Sequence, residues 1–235
     1  MTFTDKVVLV AGGTGGLGRA VSLAFLEAGA QVIVTYQHDT EFAELHRLAS
    51  NAARLVGRMF DLTDEAAVEQ LIDGIVREHA RLDVMVNTVG AYTGGPKFWE
   101  LRTDVFERML ALNLRAGFLL SRAAAGVMVK QQQGAIVNVA AKAAIDHGAG
   151  AAYAASKSAA LAMIDSLAAD LKGTGVRANS ILPSIIDTEA NRKAMPGSDF
   201  SKWPKPEAIA RVVLFLCSDD ARVVQGAAVS VYGDS

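Results

Sequence analysis

The chain has 235 residues, 51% of them hydrophobic and 20% charged, which is enough for one large core and fits a single α/β domain over 1-235. A formal net charge of −2, with lysines and arginines scattered, leaves no basic stripe and argues against a nucleic-acid partner. One cysteine, Cys217, excludes an internal disulfide, and the first apolar segment is too short and too soon broken by glycines for a signal peptide or a membrane span, so no membrane contact and a cytoplasmic location are expected.

In chain order, KVVLVAGGTGGLGRAVSLAFLEAGAQVIVTY passes from an apolar β-type stretch through a glycine loop into a helical pattern and a second strand, a βαβ unit. Gly12, Gly16 and Gly18 stand where a nucleotide-binding turn needs a tight bend, a backbone close to pyrophosphate and a helix packed on its strand. Phosphates would meet the free N–H groups and positive dipole end of that helix without a basic side chain. An acidic residue at the end of the second strand would accept the ribose 2′-hydroxyl of NAD and repel a 2′-phosphate. Tyr36 stands there instead, followed by Gln37 and His38, with no Arg or Lys to attract a phosphate. The cofactor is therefore read as NADP(H) or NAD(H), tilted towards NADP(H).

The alternation continues. RLVGRMF reads as a strand, DEAAVEQLIDGIVREHA as a helix, LDVMVNTVG as a strand, and the span from Trp99 to about Gln132 as two helices. AIVNVA, VRANSILP and AAVSVYG complete seven strands, separated by the helix carrying Tyr153 and by PEAIARVVLFLCS, where Cys217 reads as a small core residue. Seven near-continuous apolar strands with helices between them predict an α/β fold, a single Rossmann-type doubly wound domain with a seven-stranded parallel sheet covered on both faces. Ligands of such sheets sit beyond the carboxyl ends of the strands, where the strand order reverses. Asp61, Asn87, Gly90, Asn138 and the run from Pro183 to Thr188 fall on that rim, and Asn113 lies in a helix. Each has a plainer alternative: Asp61 as a helix cap, Asn87 as a turn former, Asn113 as a helix hydrogen-bonding group. No metal site is expected.

Within AAYAASKSAALAMIDSLAADL, Tyr153 and Lys157 are four residues apart on one long helix and emerge on the same face. A phenol titrates near 10, and a neighbouring ammonium favours the phenolate, so Lys157 is expected to bring Tyr153 towards a useful range for proton exchange. An ordinary helix with one exposed Lys and one half-buried Tyr is the alternative.

Taken together these segments resemble the short-chain dehydrogenase/reductase family over essentially the whole chain. AGGTGGLG stands for its T-G-x-x-x-G-x-G with Ala11 in the threonine place, NTVG for N-N-A-G, YAASK for Y-x-x-x-K, and PSIIDT for P-G-x-x-x-T with Ser184 replacing glycine; SDDARVVQGAAVSVYG is similar to its carboxyl-terminal segment. The resemblance implies cofactor contacts at Gly12, Thr14, Gly16, Leu17, Gly18 and Tyr36, at Asp61 and Leu62 beside the adenine, and at Asn87 and Gly90 on the adenosine side. It further implies contacts at Pro183, Ile185 and Thr188 near the nicotinamide amide. Tyr153 would be the acid, Lys157 would hold the ribose hydroxyls, and Asn113 would support a proton-relay water. The family also implies a homodimer or homotetramer.

One departure bears on the substrate. Where the family carries a catalytic serine, the chain reads IVNVAAK, with Ala140 and Ala141 in place of hydroxyls. Losing one preorganised donor commonly costs about 10²–10³ in turnover when charge builds on a carbonyl oxygen. The stretches AAKAAIDHGAGAAYAASK, LPSIIDTEANRKAMPGSDFSKW and VGAYTGG resemble the dihydropteridine reductase subgroup, which also lacks the serine. That resemblance implies hydride transfer to a flat heteroaromatic substrate, a quinonoid dihydropterin, lined by Tyr92, Ala141 and Tyr153. A generic ketone or 3-oxoacyl reductase using Lys142 or His147 as replacement donor stays open, although both also read as plain loop or turn residues. A non-catalytic NAD(P)-binding sensor or scaffold is the third reading, opposed by the retention of Tyr153, Lys157 and Asn113.

Overall fold

The computed structural model describes all 235 residues. The apolar stretches form seven strands: β1 (Val7–Ala11), β2 (Gln31–Tyr36), β3 (Leu55–Met59), β4 (Val84–Asn87), β5 (Gly134–Val139), β6 (Val176–Pro183) and β7 (Ala228–Val231). All pair in parallel in one sheet of order β3-β2-β1-β4-β5-β6-β7. The helices are α1 (Gly16–Glu27), α2 (Asp39–Leu48), α3 (Glu65–His79), α4 (Thr103–Leu110), α5 (Ala116–Gln131), α6 (Ala143–Asp146), α7 (Ala151–Asp170), α8 (Glu189–Ala194) and α9 (Pro206–Cys217). None is long and apolar enough to cross a membrane.

Strand alternation divides the apolar residues between two cores. Val8, Val10, Val32, Val34, Val86 and Val137 face α1 and α9, whereas Leu9, Ile33, Met85 and Ile136 face α3, α5 and α7. Burying each such side chain contributes about 1.5–3 kcal/mol, so two filled faces hold the sheet between its helices. The two halves of the sheet are laid down in opposite directions from β1, and the order reverses between β1 and β4, where Ala11 pairs with Asn87.

Three helices do not show in the sequence pattern. α2 buries only Leu45, so its apolar stripe is too thin to stand out. α6 is a single turn within the stretch from Ala141 to Tyr153 that reads as loop, and α8 is a short helix after Thr188. The segment carrying Asn113 departs from regular α-helix: Ala111–Arg115 is a π-helical turn between α4 and α5. One-turn π segments of this kind recur at functional sites because they re-aim a side chain.

Candidate active site

The glycine loop is fastened to the end of β2 and to the strand beyond β1. Gly12 N–H donates to Thr35 Oγ1 at 2.8 Å and Gly13 N–H to the Thr35 carbonyl at 3.1 Å. Thr88 Oγ1 donates to the carbonyls of Ala11 (2.7 Å) and Gly12 (3.1 Å). A Cβ at Gly18 would stand 2.1 Å from the Gly12 carbonyl oxygen, and one at Gly16 would stand 2.6 Å from Thr188 Cγ2. The loop therefore closes on itself at Gly18 and touches the β6 rim at Gly16. The N–H groups of Gly16, Leu17 and Gly18 find no acceptor in the preceding loop, as the first turn of a helix leaves them free for an anion. This cradle fits a pyrophosphate. Leu17 and Leu62 have buried side chains in the two cores, so only their backbones can face a ligand.

Beyond the carboxyl ends of β4 and β5, α7 brings up Tyr153 and Lys157. Lys157 is buried at 5% exposure, its Nζ donating to the Val139 carbonyl at 2.9 Å and lying 5.9 Å from the centre of the Tyr153 ring. Burial pushes the Lys157 ammonium down to about 8. The expectation that Lys157 lowers the Tyr153 phenol is corrected: burial, and then the neighbouring Tyr92, push it up to about 12. Desolvation wins because the ammonium is directed at the Val139 carbonyl and lies 5.9 Å from the Tyr153 ring centre, too far to offset the burial of the phenol. In this state Tyr153 is a neutral phenol, able to donate a proton.

Asn113 is buried and ties the π-helical turn to both neighbours. Its Oδ1 accepts from Ala91 N–H at 2.8 Å, and its Nδ2 donates to the Ala91 carbonyl and to Ser156 Oγ, each at 3.0 Å. Ser156 Oγ in turn donates to the Tyr153 carbonyl at 2.8 Å. A Cβ at Gly90 would lie 2.8 Å from Asn113 Oδ1 and 3.0 Å from Lys157 Nζ, so Gly90, Asn113 and Lys157 meet at one point. Asn87 donates from Nδ2 to Asn138 Oδ1 at 2.9 Å and accepts from Val89 N–H at 3.1 Å, holding the turn after β4.

Tyr92 meets Tyr153 edge to face, ring centroids 5.1 Å apart at 89°, and is itself 63% exposed. The loop carrying it is pinned to the start of α7 where Gly95 and Gly150 lie back to back, Gly150 at φ 94°, a conformation suited to glycine. Ala140 and Ala141 directly follow β5 and Val139, the partner of Lys157, and are buried, offering methyl groups only. The Lys142 ammonium donates to the Ser235 carbonyl at 3.2 Å and lies over the Tyr232 ring, while His147 ends α6 in the left-handed conformation, with an exposed side chain.

The remaining rim residues divide. Pro183 accepts from Lys142 N–H through its carbonyl, Ile185 is 41% exposed, and Thr188 caps α8 while facing Gly16. Asp61 does not cap α3; Asp64 does, and Asp61 accepts from the Thr63 hydroxyl and N–H, which hold its carboxyl below the usual range. Tyr36 stacks on Phe42 with centroids 4.9 Å apart. The sequence gives no individual role to Thr35, Thr88 or Ser156, nor to Asp187 within the run from Pro183 to Thr188. Asp187 is buried at the root of the 188–204 segment, where Arg192 and then Lys205 hold its carboxyl well below the carboxylate range. Cys217 is buried and its thiol is pushed up to about 12, an inert core residue.

A seven-stranded doubly wound sheet with a glycine loop at its switch point is the architecture of a dinucleotide-binding domain. The family model for short chain dehydrogenase matches residues 6–199, and the chain belongs to the short-chain dehydrogenase/reductase family, whose NAD(P)-dependent oxidoreductase activity it shares. The 3-oxoacyl-acyl-carrier-protein reductase of Thermotoga maritima is 29% identical over 99% of this chain and 98% of its own length. D-threitol dehydrogenase of Mycolicibacterium smegmatis is 33% identical over 97% of this chain and 92% of its own. Among solved structures, ElxO with NADP bound superposes with a TM-score of 0.90 at 26% identity, covering 97% of each chain.

Proposed function

We propose that the protein is an NAD(P)H-dependent reductase acting on a flat, conjugated heteroaromatic substrate of the quinonoid dihydropterin class. Tyr153 serves as the proton donor, Lys157 orders the ribose and the phenol, Asn113 holds a relay water, and Tyr92 covers the substrate ring. One observation carries the reading: the neutral Tyr153 phenol stands beside an exposed aromatic edge, Tyr92, at a site whose neighbours Ala140 and Ala141 offer no hydroxyl. A carbonyl substrate develops charge on oxygen and calls for a second donor there, whereas a conjugated imine needs a single proton at a ring nitrogen. When bound, the reduced nicotinamide supplies the hydride. The chain's own residues bind and orient: the Gly12–Gly18 loop for the pyrophosphate, Asn87 and Gly90 for the adenosine side, Thr188 for the nicotinamide side.

A second reading, a 3-oxoacyl or small-ketone reductase, is favoured by the likeness to the Thermotoga maritima enzyme. The two separate in one assay. Oxidation of NADH and NADPH is followed spectroscopically with a quinonoid dihydropterin, a panel of ketones and a 3-oxoacyl thioester. Turnover of the pterin well above the others supports the first reading, and turnover confined to carbonyl substrates overturns it. The same proposal takes the apolar face made by Leu110, Leu114, Phe118 and Met163 as the surface of a homodimer or homotetramer, which sedimentation tests.

A further inference from the structure

The end of β2 carries no acid, yet a carboxylate reaches the cofactor loop from elsewhere. Thr14, midway round the glycine loop, donates its hydroxyl to Glu41 Oε2 at 2.9 Å. Glu41 lies in the first turn of α2, anchored by its N–H on the His38 carbonyl at 3.0 Å. Because Gly12 and Gly13 are bonded to Thr35, the loop and the end of β2 form one surface, and the adenosine ribose of a dinucleotide lies across such a surface. From this geometry we infer that Glu41 is the residue that sets nucleotide choice, accepting the ribose 2′-hydroxyl of NADH and rejecting the 2′-phosphate of NADPH. This rests on the reading of the loop as the cofactor cradle.

The wider charge pattern points the same way. Asp39 shares the first turn of α2 and acts on Tyr36. Glu44 and Glu189 add two further carboxylates on this side, both close enough to feel the charge of Arg19. Arg47 is committed to Glu44 through two hydrogen bonds of 2.9 and 2.8 Å. Four carboxylates against two guanidiniums, one of them committed to Glu44, leave this corner acidic and unfavourable to a phosphate dianion. Gly15, between Thr14 and Gly16, adds no side chain to change that. The inference departs from the expectation drawn from Tyr36, Gln37 and His38 alone, which tilted to NADPH.

Dissociation constants for NADH and NADPH are measured by fluorescence titration on the native chain, Glu41→Gln and Thr14→Val. The native chain should bind NADH more tightly than NADPH by about tenfold or more, the scale of one unrelieved like-charge contact. Glu41→Gln should erase most of that ratio chiefly by improving NADPH, and Thr14→Val, which releases the carboxylate from the loop, should narrow it partway. Raising salt should narrow the native ratio as well, since the charges face solvent. A native preference for NADPH, or a ratio that Glu41→Gln leaves unchanged while both nucleotides bind, overturns the role of Glu41 alone. Failure of both nucleotides to bind a folded native chain overturns the cradle and Glu41 together.

Discussion

Lys157 Nζ lies 2.9 Å from the carbonyl oxygen of Val139 and 5.9 Å from the centre of the Tyr153 ring. The ammonium is thus held by the end of β5 first and by its helical neighbour second. Its burial is costly, since a charge is removed from water for one carbonyl partner.

That cost is visible in the pH dependence of stability. Burial lowers Lys157 from its ordinary 10.5 to about 8, so between those values the unfolded chain holds more protons than the folded one. The unfavourable contribution of the charge is complete below pH 8 and fades as the pH rises to about 10.5. Denaturant midpoints of the native chain and Lys157→Met, compared from about pH 7 to about pH 10, should show the variant's relative stability falling with pH. A difference that does not vary across that range would show that the ammonium is not desolvated as placed.

Tyr153→Phe should keep nucleotide affinity within about twofold and lose about 10²–10⁴ in turnover, because the phenol acts on the proton and not on the nucleotide. Lys157→Ala should weaken both, since it faces ribose and phenol. Titration and steady-state kinetics with the same preparations separate the two outcomes. Normal turnover by Tyr153→Phe would place the proton donor elsewhere.

The glycines of the loop should fail differently. An added Cβ at Gly18 meets the Gly12 carbonyl at 2.1 Å, a backbone atom that cannot turn aside, so Gly18→Ala should destabilise the fold by about 1–3 kcal/mol in denaturant melts. At Gly16 the obstacle is Thr188, Cγ2 at 2.6 Å and Cβ at 3.1 Å, at the start of the short α8 and outside the sheet, so a local shift of that segment can relieve it. Gly16→Val should therefore stay folded by circular dichroism while losing both nucleotides, and retained affinity would mean that the loop is only a turn.

Ala141→Ser adds a hydroxyl where the family places its donor, and Ala140→Ser covers the neighbouring register. With a ketone substrate one of the two should raise kcat/KM by about tenfold or more, whereas a quinonoid dihydropterin should gain little, having no carbonyl oxyanion to stabilise. A large gain confined to the pterin would contradict the argument that its reduction dispenses with the donor.

Local pattern determined a large part of this protein. The βαβ start, the spacing of Gly12, Gly16 and Gly18, the seven apolar strands and the four-residue step from Tyr153 to Lys157 are readable because periodicity and short spacings act within one element or one turn. What the tertiary structure alone decided depends on groups far apart in sequence and on solvent exclusion. Asn113 meets Ser156 across 43 positions and Thr14 meets Glu41 across 27, pairings that no local rule encodes. The upward displacement of Tyr153 has the same origin: a four-residue spacing brings a cation near, but only the packed sheet directs that cation to Val139 and buries the phenol enough to outweigh it.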